Sequence, residues 1–397
     1  MNNEQRGGEI ERRLLLNAAF EAPLVTRFSD LKALETRNNE ALRETVEQFA
    51  PDLVHVFSLE GISKSLLFTL RQMRVPAVFD ISNNWITEGL REDPWLRFWN
   101  KPDLSGADKI SRTMLELAGQ RTRLDASAPT RMMKGYDRIP QVYAEAEEAR
   151  TMQPNSVSGF RFDRLYFASL TLKEEAERGG FKVGHAEVIY PGIATQTFFG
   201  EVRAANAPVN KFLIAGKLDG RSGALTAVKA LEMARRNMPE ATLSIYGRGD
   251  SNYIAEIRSL VAMQHLPVEF LSVSNQTRDL PGIYRKHDAL LHTVEWSEPY
   301  SLTPLEAMAC GLPVISTALG GARDLIRHGE NALMYTAGDE TDLAIRMQEL
   351  MKPELRCRLA ETAQQEVLSQ HNESTVMDRI ENYLNSSLEH WAQFEGG

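Results

Sequence analysis

Short apolar runs alternate with longer amphipathic segments along most of this chain. Runs such as 211–215, 242–246 and 289–293 have the length of buried strands, and the segments between them carry apolar residues at helical spacing. Strands that alternate with helices form β-α-β units, which place their strands side by side in a parallel sheet. The sequence therefore predicts an α/β protein. Further strands are predicted at 53–57, 76–81, 164–168, 187–190, 313–317 and near Val268, and helices at 63–73, 170–178, 225–237 and 372–391.

The chain has 397 residues, enough for two α/β domains that each bury a core. The segment 192–210 contains Ala-Ala-Asn-Ala-Pro and no clear period, so we predict the linker there. We expect an N-terminal Rossmann-like domain at 1–195, a second at 208–370 and a C-terminal helical segment at 371–397.

The predicted first domain begins unusually. A doubly wound domain normally opens with a buried strand and a glycine-rich turn, but here Gly7-Gly8 follow no hydrophobic strand, and Arg12-Arg13 precede the three leucines 14–16. We interpret the opening strand as missing; the alternative is an unrecognisable strand. A missing strand would expose a sheet edge near Val54 or Phe79, which a partner chain or a homodimer would cover.

Composition limits the class of protein. Hydrophobic residues make up 43% and charged residues 25% of the chain, a balance typical of soluble globular proteins. No apolar run approaches the roughly 18 residues that cross a bilayer, and the polar start is unlike a signal peptide. Cys310 and Cys357 are too few for a disulfide framework. We therefore expect a cytoplasmic protein.

Charge argues against nucleic acid as a partner, because the formal net charge is -9 and phosphate binding needs a basic face. One segment, 121–138, is locally basic. We interpret it as a solvated loop; contact with an anionic acceptor or a membrane surface is the alternative.

The segment 289–317 carries the strongest functional pattern. An apolar run ends near Thr293, a loop follows, and Thr303 is predicted to cap a helix that has Pro304 at its first position and Glu306 at its third. A loop of this kind follows the carboxyl end of a parallel strand, so it directs a helix N-terminus into the crevice where α/β proteins bind ligands and phosphates. Glu306 would either complete a capping box or bind a ligand. Glu298 lies on the loop.

Glu298 and Glu306 form Glu-x7-Glu within Glu-Pro-Tyr-Ser-Leu-Thr-Pro-Leu-Glu-Ala-Met-Ala-Cys-Gly-Leu-Pro-Val-Ile. This string closely resembles the hallmark of family 4 retaining glycosyltransferases, which have the GT-B fold. Ala-Gly-Lys-Leu-Asp at 215–219, Ser-Ile-Tyr-Gly-Arg-Gly at 244–249 and Val-Ile-Tyr-Pro-Gly-Ile at 188–193 resemble other motifs of that family. The resemblance covers about 51–335. It implies two Rossmann-like domains that face each other across a cleft, with the C-terminal helix packed back on the first domain.

The resemblance also implies roles for individual residues. Glu306 would bind the ribose hydroxyls of a nucleoside diphosphate sugar, and Glu298 would bind the hydroxyls of its sugar. Lys217 would bind the diphosphate, with Arg221 as a second candidate cation. Glu298, Lys217 and Arg221 are thus the candidate catalytic residues. The remaining candidates on the donor side are Gly216, Leu271, Ser272 and Val273, of which the last three would edge the base, and Tyr300, Ser301, Leu302 and Thr303, whose backbone N–H groups would hold sugar or phosphate.

The sequence departs from the family pattern at several places, among them Ser222 and the pair Asn83-Asn84. Ser222 stands where the family has a second diphosphate-binding lysine, and Arg221 either replaces that cation or faces solvent. Asn83 and Asn84 follow the strand at which the family often has a histidine that contacts the donor sugar. His55 is a further acceptor-side candidate, with a buried, satisfied histidine as the alternative.

These patterns predict a retaining transferase that moves a hexose from a UDP- or GDP-sugar to a hydroxyl of a glycan, lipid or small molecule. The sequence contains no Asp-x-Asp pair that would hold a divalent metal ion against a diphosphate. No cofactor is expected besides the donor substrate. The departures motivate an alternative, a sugar-nucleotide-binding relative with little or no turnover and a regulatory or scaffold role. A GT-B epimerase is a weaker third reading.

Overall fold

The computed structural model describes residues 12–19, 22–24, 28–62, 64–87, 105–117, 141–144, 159–162, 164–179, 181, 183–184, 186–271 and 279–395. The chain divides into two compact units. The first comprises Met1–Phe167, Lys173–Glu187 and Leu384–Gly397, and the second comprises Ala168–Leu172 and Val188–Tyr383. The domain boundaries expected at 195, 208 and 371 stay predictions.

The first unit is built on a parallel sheet whose described strands follow the order β3-β4-β7-β8. Residues of β4 and β7 are almost all buried, which explains why they read as unbroken apolar runs. The described elements up to the second unit are β1 Ala18–Ala19, β2 Ala22–Pro23, α1 Phe28–Phe49, β3 Val54–Val56, α2 Leu66–Met73, β4 Ala77–Ile81, a 3₁₀ turn Asn84–Ile86, α3 Gly106–Leu117, β5 Gln141–Ala144, β6 Gly159–Phe162, β7 Arg164–Phe167, α4 Leu170–Arg178 and β8 Glu187–Val188.

The long helix α1 has no counterpart among the predicted elements. Its buried side includes Glu35 and Asn39 beside apolar residues, so its hydrophobic pattern is interrupted. Ser65 satisfies both polar groups, since its hydroxyl donates to Glu35 Oε2 at 2.6 Å and accepts from Asn39 Nδ2 at 2.8 Å. A polar network inside a helix packing face is stable only when its members find partners, and sequence periodicity alone does not reveal such partners.

The start of the chain bears on the predicted missing strand. Residues 12–16 form no strand; instead, Leu15 N–H donates to the Asn38 side chain of α1, and that side chain donates back to Leu15 O, both at 2.8 Å. Residues 1–11 lie outside the described residues. The expected edge at Phe79 is wrong, because Phe79 is buried in β4 between β3 and β7, whereas Val54 belongs to β3, which ends the described sheet.

The second unit contains a sheet whose described strands follow the order β11-β10-β9-β12-β13-β14, and all its pairings are parallel. β9 and β10 each extend three residues beyond the predicted ends and pair over their whole length. The elements of this unit are α5 Thr195–Phe198, β9 Lys211–Leu218, α6 Ala224–Ala234, β10 Thr242–Gly249, α7 Ser251–Met263, β11 Val268–Leu271, α8 Leu280–Arg285, β12 Ala289–His292, α9 Leu302–Ala309, β13 Val314–Ser316, α10 Ala322–Leu325, β14 Leu333–Met334, α11 Glu340–Glu349, α12 Pro353–Gln370 and the first part of α13 Glu373–Glu395, whose residues from Leu384 onward belong to the first unit.

Both faces of this second sheet are covered. One core joins Phe212, Ile245 and Leu291 to α6 and α11, and the other joins Leu213 and Leu290 to α9 and α12. A parallel sheet buried on both sides holds its strand ends at fixed positions, so the loops that follow β9 and β12 have a rigid base. Within the described residues, no helix is long and apolar enough to cross a membrane.

Candidate functional site

The loop and helix after β12 form the centre of the predicted donor site. The helix α9 begins at Leu302 with Ser301 as its N-cap, two residues before the predicted cap at Thr303. The prediction was wrong because it took Pro304 to be the first residue of the helix. Backbone N–H groups of the first helical turn have no acceptor within the helix, so proline is tolerated at any position of that turn. Ser301 makes no side-chain capping bond, and it is 9% exposed.

Glu306 therefore lies one turn inside the helix, and a capping box is excluded. Its Oε2 accepts a hydrogen bond of 2.7 Å from the hydroxyl of Tyr284 on α8, a side chain that is fully buried. Burial raises the pKa of Glu306, and the Tyr284 bond opposes that shift by stabilising the ionised carboxylate. One oxygen is thus held in place, and Oε1 has no hydrogen-bond partner among the described residues.

Glu298 lies on a loop whose backbone is held by hydrogen bonds. Gly321 N–H donates to Glu298 O at 2.7 Å, and Glu298 N–H donates to Trp296 O at 2.9 Å. Gly320 adopts a φ of +60°, and a Cβ there would overlap the backbone O and N of Glu298. Only glycine tolerates both the positive φ and the close approach of the Glu298 backbone, so the Gly320-Gly321 pair fixes the position of this loop. The Glu298 side chain is 30% exposed.

The predicted cations share one counter-ion, Asp219. Its Oδ2 lies 3.2 Å from Lys217 Nζ and 3.6 Å from Arg221 Nη2, and their side chains are 72% and 50% exposed. Burial raises the pKa of Asp219, but the backbone N–H of Arg221 and the charges of Lys217 and Arg221 outweigh it and lower the pKa. The guanidinium of Arg221 also lies over the Trp296 ring, 4.5 Å from its centroid. Arg221 is therefore held beside Lys217.

Ser222 does not present its hydroxyl outward, since Oγ donates to Asp219 O at 2.7 Å and closes the turn. Gly223 follows with a φ of +67°, and a Cβ there would overlap Thr293 O. Thr293 Oγ1 donates to Ser222 O at 2.7 Å, and Glu295 N–H donates to Arg221 O at 2.8 Å. These bonds fasten the cationic loop to the loop that carries Glu298.

The other donor-side candidates differ in their surroundings. Gly216 is exposed, with a φ of +139° and open space at its missing side chain. Tyr300 is turned inward: burial raises the pKa of its hydroxyl, which makes no hydrogen bond with any described residue. Leu271 ends β11, while Ser272 and Val273 lie outside the described residues, as does the basic segment 121–138.

In the first unit, His55 belongs to a chain of side chains from three neighbouring strands. His55 Nε2 lies 3.0 Å from the Tyr166 hydroxyl, which donates to Asp80 Oδ2 at 2.9 Å. Burial lowers the pKa of His55. Burial also raises the pKa of Asp80, while the hydroxyls of Tyr166 and Ser82 oppose that shift. His55 thus has a protein partner and is half-buried.

Asn83 and Asn84 are occupied by local structure to different degrees. Asn83 Oδ1 accepts from Trp85 N–H and caps the 3₁₀ turn, and its Nδ2 donates to Glu60 Oε2 at 2.7 Å. Asn84 Oδ1 is buried without a hydrogen-bond partner among the described residues. The acceptor-side role expected for these residues stays a prediction.

Two groups that shape the site were not singled out from the sequence. Tyr284 and Asp219 each hold a predicted ligand-binding side chain, and neither stands in a pattern that marks it as functional. Among the described residues, no group of three or more His, Cys, Asp or Glu side chains could hold a metal ion.

Comparisons with known proteins match the part of the chain that carries this candidate site. Residues 197–366 match the model of the family described as glycosyl transferases group 1. Spore coat protein SA of Bacillus subtilis is 27% identical over 176 residues, 42% of this chain and 46% of that protein. N-acetyl-alpha-D-glucosaminyl L-malate synthase of Bacillus anthracis is 31% identical over 134 residues, 34% of this chain and 35% of that protein. The chain thus spans less than half the length of these two curated relatives.

The fold comparison covers nearly the whole chain. The crystal structure of Anabaena HepE in complex with UDP and glucose aligns with 91% of this chain and 83% of its own, with a TM-score of 0.60 and 17% sequence identity. At that identity the likeness concerns the fold, and it confirms the predicted α/β class with two parallel sheets and the GT-B fold. Residues 197–366, which carry the Glu-x7-Glu loop, match the glycosyl transferases group 1 family, so the predicted resemblance to family 4 is confirmed for that segment.

Proposed function

We propose that this protein is a retaining glycosyltransferase that moves a hexose from a nucleoside diphosphate sugar, a UDP- or GDP-sugar, to a hydroxyl acceptor. The observation that carries the proposal is the state of Glu306. Its carboxylate is half-buried and fixed by Tyr284, yet it keeps one oxygen for a ligand beside the start of α9. A carboxylate held in this way suits the vicinal hydroxyls of a ribose, because it accepts from both.

The phosphates would lie where positive charge collects. Lys217 and Arg221 are exposed and joined by Asp219, and the helix start supplies N–H groups without acceptors in the helix. A diphosphate would compete with Asp219 for the two cations. Together these groups would stabilise the charge that develops on the departing diphosphate without a metal ion.

The reaction would take place at the anomeric carbon. Its bond to the diphosphate oxygen breaks, a bond to the acceptor oxygen forms on the same face, and the acceptor's proton passes to the departing phosphate. Glu298 would accept hydrogen bonds from the sugar hydroxyls and hold the ring while the anomeric carbon gains positive charge. Retention and same-face attack are carried over from the family.

Two measurements test the proposal. A thermal-shift panel of UDP-, GDP- and ADP-sugars should give stabilisation by at least one donor. That donor should then yield free nucleoside diphosphate in the presence of a hydroxyl acceptor, with the product retaining the donor's anomeric configuration. A chain that is stabilised by no sugar nucleotide would refute the proposed function.

The second candidate is a sugar-nucleotide-binding protein without turnover. Ser222 favours it, because the hydroxyl that replaces the family's second lysine is engaged with Asp219 O and supplies no charge to a diphosphate. Tight binding of a donor without product over long incubation with varied acceptors would support this candidate. Transfer at an ordinary rate would exclude it.

A further inference from the structure

His292 is a buried polar residue to which the proposed mechanism gives no role. It is the last residue of β12, and it is 4% exposed among the apolar residues of the sheet. Its Nε2 has no hydrogen-bond partner among the described residues. Burial of an unpaired N–H or lone pair is costly, so a histidine in this state calls for a reason.

The other ring nitrogen identifies the tautomer. His292 Nδ1 lies 2.9 Å from Ser316 Oγ, and the same Oγ accepts from Ala318 N–H at 2.9 Å. Ser316 is fully buried, and among the described residues the hydrogen-bond partners of its Oγ are Ala318 N–H, which donates, and His292 Nδ1, which can accept the hydroxyl hydrogen. If Nδ1 carried a proton, that hydroxyl hydrogen would lack an acceptor in the interior. Nδ1 is therefore the acceptor, and Nε2 carries the hydrogen.

That hydrogen has a matching acceptor nearby. Nε2 lies 3.8 Å from Oε2 of Glu298, and Oε2 is itself a buried atom without a hydrogen-bond partner among the described residues. A donor and an acceptor that are both buried and unpaired thus face each other. Closing the distance by about 1 Å would form a charge-assisted hydrogen bond of ordinary length. The loop backbone is held by Gly321, so a rotation of the Glu298 side chain suffices.

We propose that His292 is a positioning residue for Glu298: Ser316 fixes its tautomer, and Nε2–H donates to Oε2 when the donor sugar is bound. The inference rests on the proposed function, in which Glu298 accepts from the transferred sugar. With Oε2 held by His292, Oε1 and the plane of the carboxylate are presented to the sugar hydroxyls. His292 then affects recognition of the sugar and leaves recognition of the nucleotide unchanged.

Substitutions of matched shape test this role. His292→Gln places an amide N–H near the position of Nε2, whereas His292→Asn offers a polar group near Nδ1 but does not reach Glu298. His292→Leu removes both functions. We expect kcat/KM with UDP-glucose, or with GDP-mannose if the donor panel selects guanosine, to fall about 10-fold in the Asn and Leu variants and less than about 3-fold in the Gln variant.

The free nucleotide serves as the internal control. Affinity for UDP, or for GDP, measured by calorimetry should stay within about 2-fold of the parent protein in all variants, since Glu306 and the cations are untouched. Unchanged kcat/KM in His292→Leu would overturn the proposal. So would a parallel loss of UDP affinity, which would indicate general damage to the site.

Two further measurements separate this inference from the proposed function. In a Glu298→Ala background, His292→Leu should cause no additional loss of turnover, and additive losses would overturn the inference. The tautomer is tested without any ligand by two-bond ¹H–¹⁵N correlation of the His292 ring. A signal of the Nε2–H form is expected, and the Nδ1–H form would overturn the inference even in a protein that binds no sugar nucleotide.

Discussion

The polar groups at the ends of the two sheets are in opposite states. In the second unit, Glu306 has one oxygen held and one left for a ligand, and Lys217 extends with 72% of its side chain exposed. In the first unit, His55 is hydrogen-bonded to Tyr166, and Tyr166 to Asp80. Glu306 thus has hydrogen-bonding capacity beyond its bond to Tyr284, whereas His55 Nε2 and Asp80 Oδ2 are both hydrogen-bonded to Tyr166.

The difference teaches how a binding site can be told from a structural network of the same residue types. Buried groups that hydrogen-bond to one another stabilise the fold. A group that is held in one orientation and keeps an unused hydrogen-bond acceptor is instead preorganised to bind a ligand. On this basis we propose that the second unit binds the donor and that His55 contributes to stability. Substitutions at the two edges should therefore separate catalysis from folding.

The largest effect is expected at Glu298. Glu298→Ala should lower kcat roughly 100-fold, because a contact that strengthens as the sugar becomes cationic is lost. The affinity for free UDP or GDP should change little. Steady-state kinetics together with calorimetry on the free nucleotide measure both quantities, and a large loss of nucleotide affinity would contradict the assigned role.

Glu306→Ala should show the complementary pattern. Loss of a charged acceptor costs about 1.5–3 kcal/mol, so nucleotide affinity should fall roughly 10- to 100-fold. Calorimetry with UDP or GDP, run beside Glu298→Ala as the control, checks the contrast. Unchanged nucleotide affinity in Glu306→Ala would refute its assignment to the ribose.

Gly320→Ala should displace the backbone of the Glu298 loop. The new Cβ would overlap Glu298 backbone atoms at a φ of +60°, so we expect a loss of about 2–3 kcal/mol in the free energy of unfolding and a roughly 10-fold loss of turnover. Gly338→Ala is the matched control, since its φ is +75° but no atom lies within 4 Å of the added Cβ. Chemical denaturation and kinetics on both variants check this, and equal effects would show that loop contact is unimportant.

Tyr284→Phe should have a smaller effect that depends on pH. Removal of the hydroxyl takes away the hydrogen bond that lowers the pKa of Glu306, so the already raised pKa should rise further. Nucleotide binding requires the ionised carboxylate and should be lost as pH falls, at a higher pH in Tyr284→Phe than in the parent protein. At pH 7.5 we expect roughly 5-fold weaker binding. Affinity measured from pH 5 to pH 8 tests this, and identical profiles would contradict it.

The smallest effect is expected at His55, and it concerns folding. Burial lowers the pKa of His55 from its ordinary value of 6.5, so the folded protein binds fewer protons at this site than the unfolded chain. Its contribution to stability is therefore present above pH 6.5 and is lost as pH falls through the lowered folded pKa. His287 and His371, whose pKa values burial also lowers, act in the same direction.

His55→Phe should accordingly flatten the fall in unfolding free energy between pH 7.5 and pH 5.5 by less than about 1 kcal/mol, since the side chain is half-exposed. Nucleotide affinity should be unchanged. Urea denaturation at the two pH values provides the measurement. A marked loss of nucleotide affinity or turnover would show that the first unit's network takes part in the reaction, and the comparison of the two edges would then fail.

Much of the second unit could be predicted because its signals are local. Continuous apolar runs mark strands that are buried on both faces, and the string from Glu298 to Gly321 carries both carboxylates and the glycines that hold the loop. The helix 170–178 was predicted with the bounds that the structure has. The long helix α1 was missed, because Glu35 and Asn39 interrupt its apolar face and find partners 26 or more residues away.

The sequence by itself determined the α/β class, the bounds of the helix 170–178 and the position of the Glu-x7-Glu loop, since each depends on neighbouring residues and their spacing. Only the tertiary structure decided which groups lie beside the two carboxylates. Tyr284 meets Glu306 from another helix, and His292 faces Glu298 at 3.8 Å from the end of a strand. The first residue of α9 also required the tertiary structure, because proline is tolerated at several positions of a first helical turn and so does not mark its start. Contacts between separate elements depend on how the sheet and helices pack, and no pattern of spacing encodes them.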